Sequence, residues 1–432
     1  MNISLIIIVD HAIFAPNEFT IKGMYWESYS HDKMKSIVFD ALKHNLDYRE
    51  NQVLGLPASY LDTEVFYDDA PFLKDAPFLS ALIANPNHIG CHTLNESEEA
   101  FTGTHKIEKE LIDLCAKEIF EGGEEEFDGY VASGGTEANI QAMWILKNFY
   151  MKEHKASADE IALFYSEDAH YSMPKGATLL GLHKIVTKVD DVTRRVTRKS
   201  VVEGIKIAKE KGCKYFIVVM NMSTTMFGSV DDIDEITGWL DETKVEYKVH
   251  VDGAFGGYIY PFAVEKNSYT FRNPKITSFT LDGHKMLQSP YGTGIYLTRK
   301  GFMEYALTEE ANYVKGKDYT LVGSRSGANA IAIWMIMRTY GSEGWKSKIR
   351  NLLNKTSRLC SNLDEKGVRY FRNPDMNIVT IRGEYISNEL ANRYMLVPDT
   401  HEGQPKWWKI VMMDHVRQGL VDKFLFDLDI SK

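Results

Sequence analysis

Three short segments of the chain carry side chains whose types and spacing suit chemistry, and each follows a β-rich run. In the first segment, Gly129–Asn139, the hydroxyl residues Ser133 and Thr136 enclose Gly134 and Gly135 just ahead of a predicted helix. Free N–H groups at a helix N-terminus and glycines that allow close approach form, with these hydroxyls, a cup suited to a phosphate group. An ordinary Gly-Gly turn with Thr136 as the helix N-cap explains the same segment.

The second segment, His250–Gly257, places Asp252 at the carboxyl end of a short apolar strand, followed by small residues. Ligands of open α/β sheets bind at that end of the strands, so this acid is suited to pair with a cationic ring nitrogen. A solvated acid at a strand end is the common alternative.

The third segment, Ser278–Met286, ends another β-rich run with His284 and Lys285. Burial lowers the pKa of an amine and enables it to form an imine with an aldehyde, although most lysines are solvated surface residues. A phosphate cup, an acid for a ring nitrogen and an amine for an aldehyde are the groups that pyridoxal 5′-phosphate requires. Together the three segments predict a site for that cofactor.

The elements that position these residues alternate between about Lys106 and Arg299, where short β-rich runs are separated by apolar-periodic stretches of helix length. This alternation predicts an α/β fold with a mostly parallel, seven-stranded sheet. The predicted strands are Asp128–Ala132, Ile161–Tyr165, Lys184–Lys188, Tyr215–Met220, Lys248–Asp252, Thr277–Leu281 and Gly294–Thr298. The predicted helices are Ile107–Phe120, Thr136–Tyr150, Ser172–Leu180, Arg198–Lys209 and Ile233–Leu240.

The flanking regions predict two further parts of the chain. Residues 1–63 are expected to form an N-terminal arm with one helix near Asp32–Lys43, residues 64–300 the large cofactor-binding α/β domain, and residues 301–432 a smaller α+β domain. Within the last part, the pattern predicts two helices and two short strands: Ala328–Tyr340, Trp345–Lys366, Asn377–Ile381 and Trp408–Met412.

Composition excludes several classes of protein. The chain has 432 residues, 44% of them hydrophobic, with 50 Lys plus Arg against 60 Asp plus Glu and a formal charge of −10. No dense basic block would follow a nucleic-acid backbone, so nucleic acid is not expected as a partner. Four widely spaced cysteines favour a reducing cytoplasm, and the run Ile3–Val9 is too short to span a membrane.

From Ile107 to its end, the chain resembles the group II pyridoxal-phosphate-dependent amino-acid decarboxylases, which have the aspartate aminotransferase fold (fold type I). It is most similar to bacterial histidine decarboxylases and archaeal tyrosine/aspartate decarboxylases. Tyr165–Lys175 resembles the segment whose histidine stacks on the cofactor ring, here His170, and Ser223–Gly228 resembles the turn whose threonine, here Thr225, lies near the cofactor's phenolic oxygen. Without the resemblance, His170 is a loop histidine and Thr225 belongs to an ordinary helix cap.

The resemblance also implies roles for the three segments first described. Lys285 is the Schiff-base lysine, Asp252 the partner of the pyridine nitrogen, and Ala254 the small residue under the ring. His284 is implied as a phosphate contact and a candidate proton shuttle.

Further positions follow from the same resemblance. Ser324 matches a residue that reaches the partner's phosphate in the family's homodimers, and Tyr313 matches a tyrosine of the mobile catalytic loop, although an aromatic residue there is equally explained by packing. His88 and His92 match the segment that lines the substrate. The two histidines alone also suggest a metal, but no carboxylate or thiol pattern at ligand spacing accompanies them, so no metal is expected.

Two positions depart from the family pattern. Lys409 stands where several members place an arginine that binds the substrate carboxylate, and an ammonium is a point charge rather than a bidentate fork. Asp282 replaces a serine that precedes the His-Lys pair in some relatives, and an ionised acid cannot donate to a phosphate.

The sequence therefore predicts a decarboxylase of an L-amino acid, with histidine or an aromatic amino acid favoured over aspartate or glutamate. A carbon–carbon lyase or a transaminase remains as an alternative, because the cofactor-anchoring residues are shared across the fold. A cofactor-binding protein without activity is the third alternative. A homodimer is implied by the resemblance alone.

Overall fold

The computed structural model describes residues 51–55, 62, 64, 65, 78, 81, 82, 86–94, 101–310 and 317–428. The predicted helix at Asp32–Lys43 lies outside these residues. The described residues from 52 onward form one compact unit.

The described strands and helices are numbered in chain order. The strands are β1 (Asn87–Ile89), β2 (Phe127–Ala132), β3 (Ile161–Ser166), β4 (His183–Thr187), β5 (Tyr215–Asn221), β6 (Glu246–Asp252), β7 (Ile276–Asp282), β8 (Gly294–Arg299), β9 (Ser324–Ser326), β10 (Tyr370–Phe371), β11 (Ile378–Arg382), β12 (Val397–Pro398) and β13 (Trp407–Val411). The α-helices are α1 (Thr102–Asp113), α2 (Gly135–Glu153), α3 (Ser172–Leu180), α4 (Arg198–Glu210), α5 (Ile233–Glu242), α6 (Tyr260–Ala263), α7 (Gly327–Glu365), α8 (Asn388–Arg393) and α9 (Gln418–Asp427).

The central sheet confirms the predicted fold class. Its seven strands run in the order β2-β8-β7-β6-β5-β3-β4, and β8 alone is antiparallel to its neighbours. Strands β2, β3 and β7 are buried along their whole length, as expected for a sheet covered on both faces. All seven predicted strands are present, with ends shifted by no more than two residues. The parallel strands bring their carboxyl ends to one edge of the sheet.

The helix predicted over Ile107–Phe120 differs in detail from the structure: it begins earlier, and its last part, Leu114–Ile119, is a wider π-helical turn. The two helices predicted on either side of residues 341–344 are present as the two parts of α7, separated by a kink at Gly341, whose φ of 58° lies in the left-handed region. A glycine is suited to this break because it adopts positive φ without steric cost.

The C-terminal part contains a second, antiparallel sheet in the order β10-β11-β13-β12. Its apolar core is separate from that of the large sheet and includes Val379, Ile410 and Phe424. The predicted smaller α+β part is thus present, while the limits proposed for the three domains stay predictions. No described helix combines the length and hydropathy that a bilayer crossing requires.

A buried ion cluster fastens the short β1–β9 pair to the large sheet. The Glu108 carboxylate on α1, 1% exposed, pairs with Arg325 of β9 and accepts a hydrogen bond from the Val131 N–H of β2 at 2.7 Å. Its other oxygen lies 2.9 Å from His88 Nδ1 and 3.0 Å from His92 Nε2. Burial opposes its ionisation, but Arg325 and the two imidazoles outweigh burial and hold the pKa of Glu108 well below its usual value.

We predict that Glu108→Gln lowers the free energy of unfolding by about 3–5 kcal/mol, because it leaves the buried Arg325 guanidinium without its counter-charge. Glu110→Gln on the same helix is the matched control. Glu110 pairs with Arg338 at the surface and is about half exposed, so its loss should cost about 1 kcal/mol or less. Urea unfolding of both variants measures the difference; equal destabilisation would contradict a structural role for the Glu108 cluster.

Candidate active site

The site lies at the edge where the parallel strands end. The phosphate cup follows β2, Asp252 is the last residue of β6, and Lys285 follows β7 by three residues. His170 lies in the turn between β3 and α3. The three segments that the sequence singled out separately are therefore neighbours, because their strands are parallel members of one sheet.

Tight backbone approach shapes the cup after β2. A Cβ on Gly135 would lie 2.7 Å from Asp282 Oδ2, and one on Gly294 would lie 2.6 Å from the backbone of Gly134. Helix α2 begins at Gly135, so its first N–H groups have no partner within the helix and point out of its N-terminus. Ser133 donates its N–H and its hydroxyl to Glu137 at 2.7 and 2.5 Å.

The Asp252 carboxylate is buried and held by donors on both oxygens. Asn139 Nδ2 donates to Oδ2 at 3.0 Å, and the Ala254 N–H donates to Oδ1 at 3.1 Å. Both contacts fix the direction of the carboxylate. An acid so held is suited to keep a proton on a nearby ring nitrogen.

His170 is held by the start of α3. Its Nδ1 lies 2.8 Å from Ser172 Oγ and 3.2 Å from the Ser172 backbone nitrogen. Burial lowers the pKa of His170, although the Asp252 carboxylate opposes that effect. The imidazole is therefore neutral at pH 7, as suits a ring that stacks on an aromatic cofactor.

Lys285 faces Asp282, the acid at the position where some relatives have a serine. Its Nζ lies 3.0 Å from Asp282 Oδ2, and three-quarters of its side chain is buried. Burial alone would lower the pKa of Lys285, but Asp282 and Asp252 outweigh burial and raise it. Asp282 Oδ1 and His284 Nδ1 are buried and have no hydrogen-bond partner among the described residues, and burial lowers the pKa of His284.

A cleft of about 590 Å³ begins at His170 and is bordered further by Thr225 and Lys409. Lys409 Nζ donates to the Thr225 carbonyl at 3.2 Å. Burial, and to a lesser extent the charge of Lys285, lowers the pKa of Lys409 to about 8. The cleft thus contains an amine that is charged at neutral pH and easily discharged above it.

The remaining predicted residues lie elsewhere. Tyr313 is outside the described residues. Ser324 is exposed on β9, where Asn87 Nδ2 lies 3.4 Å from its hydroxyl. His88 and His92 belong to the Glu108 cluster and are buried, so their contact with a substrate stays a prediction.

Sequence reasoning missed three polar residues of the site. Asn139 and His250 were read only as parts of motifs, although the structure connects them to Asp252 through hydrogen bonds. Ser223, at the end of β5, has a φ of 86°, and its buried hydroxyl has no partner among the described residues. A left-handed serine beside a strand end is a strained conformation that the surrounding fold must enforce.

The residues present fit pyridoxal 5′-phosphate on structural grounds. The helix N-terminus and the unpartnered His284 nitrogen offer donors at the glycine cup. Asp252 offers a buried, oriented anion for the ring nitrogen, and Lys285 offers a partly exposed amine. Ala254 lies against the cup, because a Cβ on Gly135 would lie 3.1 Å from the Cβ of Ala254.

Comparisons with known proteins identify the family of the chain. Residues 102–381 match the family model described as the pyridoxal-dependent decarboxylase conserved domain. The chain is 47% identical to a tryptophan decarboxylase of Clostridium sporogenes over 94% of this chain and 97% of that protein. It is 29% identical to a probable L-tyrosine/L-aspartate decarboxylase of Methanosarcina barkeri over 86% of this chain and 95% of that protein.

Among solved structures, an L-methionine decarboxylase from Streptomyces sp. 590 has a TM-score of 0.73 at 19% identity, covering 92% of this chain and 94% of that one. At that identity the likeness shows the fold alone. The family match and the sequence relatives carry the assignment further: the chain belongs to the pyridoxal-dependent decarboxylases, and it is a carboxy-lyase that uses pyridoxal 5′-phosphate to decarboxylate an amino acid.

Proposed function

We propose that this enzyme decarboxylates an aromatic L-amino acid, with tryptophan first among the candidates. The observation that carries the proposal is the make-up of the cleft: aromatic walls and one buried cation that forms no ion pair among the described residues. The similarity to a tryptophan decarboxylase points the same way.

The aromatic wall consists of Phe227 and Trp407, whose ring centroids are 5.5 Å apart in an edge-to-face arrangement. Arg194 lies over Phe227 at 4.0 Å and Arg382 lies over Trp407 at 3.8 Å. Both rings border the cleft, and aromatic edges of this kind suit packing against an aromatic side chain.

Both arginines of this wall already have acidic partners. Arg194 binds Asp168 through two nitrogens, at 2.5 and 3.0 Å, and Arg382 pairs with Asp191 at 3.1 Å. A substrate with a carboxylate in its side chain needs a second free cation beside the one that binds its α-carboxylate. Lys406 is a further cation of the cleft, but it is exposed to solvent and would bind a carboxylate only weakly, which weighs against aspartate and glutamate.

Lys409 is the proposed anchor for the α-carboxylate. It is 4% exposed, it borders the cleft, and among the described residues it forms no ion pair. An ammonium without a counter-charge in a buried position gains strongly from an arriving carboxylate.

When bound, pyridoxal 5′-phosphate supplies the electron sink that accepts the electron pair as the bond to the carboxylate breaks. Lys285 would hold the cofactor through its amine and release it when the substrate amine takes its place. The Asp252 anion would favour protonation of the ring nitrogen, and His170 and Ala254 would border the ring. His284 with Lys285, or Tyr313, returns a proton to the product.

We further propose a homodimer that works in the cytoplasm. Ser324 is exposed on the short β1–β9 pair, as a residue that serves the partner's phosphate has to be. His88 and His92 would then shape the substrate wall from behind this pair. The four cysteines are free and buried, which suits a reducing compartment.

We predict that the enzyme loaded with cofactor releases carbon dioxide and tryptamine from tryptophan at least ten times faster than it decarboxylates aspartate or glutamate. The reason is that the cleft has aromatic walls and only one buried cation without an ion pair among the described residues. Mass spectrometry of amines across the twenty amino acids measures this preference. Lys285→Ala should abolish turnover and the yellow absorbance. Faster release of β-alanine from aspartate, or keto acids in place of amines, would contradict the proposal.

We predict opposite effects of Lys409→Met on binding and on stability. In this variant the Michaelis constant for the amino acid should rise at least tenfold, because the substrate carboxylate loses its cation. In the wild type the Michaelis constant should rise as the pH passes about 8, because Lys409 then loses its proton. The unfolded lysine keeps its proton up to about 10.5, whereas the folded one releases it near 8, so stability increases with pH across that window.

Replacing the buried ammonium should therefore raise the free energy of unfolding at pH 7 by up to ~3 kcal/mol and remove that pH dependence. Lys406→Met, at an exposed lysine of the same cleft, is the matched control and should change neither quantity. An unchanged Michaelis constant for Lys409→Met would exclude it as the anchor.

We predict that Asp282→Asn lowers the pKa of Lys285 in the cofactor-free protein by about 1 unit or more, because the amine loses an opposite charge 3.0 Å away. The rate at which an amine reagent labels Lys285, followed against pH by peptide mass spectrometry, measures the shift. Asp128→Asn is the control, since that buried acid lies at the start of β2 and accepts from the Gly301 N–H. Identical labelling profiles for both variants would refute the role of Asp282.

A further inference from the structure

A chain of buried hydrogen bonds runs behind the site and converges on Asn139 of α2. Its Nδ2 lies 3.0 Å from Asp252 Oδ2 and 3.0 Å from Ser172 Oγ. Its Oδ1 lies 2.9 Å from His250 Nε2. All these side chains are buried, so a misdirected donor or acceptor has no water with which to compensate.

The chemistry of the partners fixes the direction of each bond. A carboxylate only accepts, so the Asn139 amide group must turn its NH₂ toward Asp252 and its carbonyl toward His250. His250 must then carry its proton on Nε2. Its Nδ1, 2.8 Å from Ser278 Oγ, accepts from that hydroxyl.

Burial agrees with a neutral His250. The residue is fully buried, and this lowers its pKa to about 4. The groups that face the ring from neighbouring elements are Asn139 of α2 and, on β7, Ser278 and Thr280, whose Oγ1 lies 3.3 Å from Nε2. Asp252 on its own strand is the charged group that acts on it.

The same reasoning reaches His170 through Ser172. Because Ser172 Oγ receives a hydrogen bond from Asn139, its own hydrogen is free to point at His170 Nδ1, 2.8 Å away. The Ser172 backbone N–H also donates to Nδ1. Nδ1 therefore has no proton, and the proton of the neutral ring is on Nε2.

We propose that Asn139 is a positioning residue of the active site, which aims the Asp252 carboxylate and, through Ser172, sets the tautomer of His170. His170 borders the cleft, so its Nε2–H is the ring's one donor left for substrate or cofactor. The proposal rests on the roles proposed for Asp252 and His170. It adds that the single Asn139 amide both orients the Asp252 carboxylate and sets the tautomer of His170.

The direct test is ¹⁵N-histidine NMR of the cofactor-free protein, with the two rings assigned from His170→Gln and His250→Gln. We expect both His170 and His250 to carry their proton on Nε2. A proton on Nδ1 of His250 would mean that the Asn139 amide is reversed and would overturn the proposal. The measurement is made on the wild-type chain, and the two variants serve only to assign the rings.

Substitutions test the connection itself. Asn139→Asp keeps the shape and replaces the donor with a negative charge, and Ser172→Ala removes the hydroxyl without adding any charge, so the second variant separates the lost hydrogen bond from the added charge. In both variants the neutral form of His170 loses a hydrogen bond, so its pKa should rise by about half a unit or more. Asn139→Asp should also weaken cofactor binding about tenfold, measured by equilibrium titration.

Asn148→Asp is the matched control: its Nδ2, on the same helix, donates to the Tyr305 carbonyl away from the site. It should leave the His170 titration and the cofactor affinity unchanged. If Asn139→Asp is folded and titrates as the wild type does, Asn139 is structural only. If the tautomers are as expected but no amino acid is decarboxylated, the proposed function fails while this inference stands.

Discussion

Acidic side chains buried along one edge of the large sheet are the constraint on which the rest of the structure depends. Each must have donors or a counter-charge, since an unpaired carboxylate removed from water costs several kcal/mol. Asp252 has Asn139 and the Ala254 N–H, Asp282 has Lys285, and Glu108 has Arg325. Asp231 accepts two hydrogen bonds from Asn221, and burial still raises the pKa of this acid to about 6. The groups that hold the fold together at this edge are therefore largely the groups available for catalysis.

The two lysines of the site, Lys285 partly buried and Lys409 almost completely buried, differ in pKa because their surroundings differ. Lys285 faces Asp282, and its pKa is raised; Lys409, on an apolar strand of the small sheet, forms no ion pair among the described residues, and burial lowers its pKa to about 8. The first lysine keeps its charge until the cofactor arrives, whereas the second holds a charge that a carboxylate would stabilise. Because their neighbours differ in charge, the two lysine amines are suited to different functions.

The cleft connects the large sheet to the small one. Thr225 comes from the turn after β5, while Lys409 and Trp407 come from β13. A substrate in this cleft would contact both parts of the chain, so the packing of the small sheet helps to decide which side chain fits. Arg194 and Arg382, each held by an acid and a ring, make that wall rigid and electrically balanced.

The sequence by itself determined the succession of strands and helices along the large sheet and singled out the cup at Gly134–Gly135, Asp252 and Lys285, whereas His170 was assigned from the family resemblance. Each of these rests on a short segment, in which local periodicity and a few side chains, or a family motif, are enough. Only the tertiary structure decided which groups meet: Asn139 and Asp252 are 113 residues apart, Lys409 and Thr225 are 184 apart, and Glu108 and Arg325 are 217 apart. Hydrogen bonds act over about 3 Å, so these partners, and the pKa values that follow from them, depend on the order and register of the strands in the sheet. A local sequence pattern does not determine that order or register.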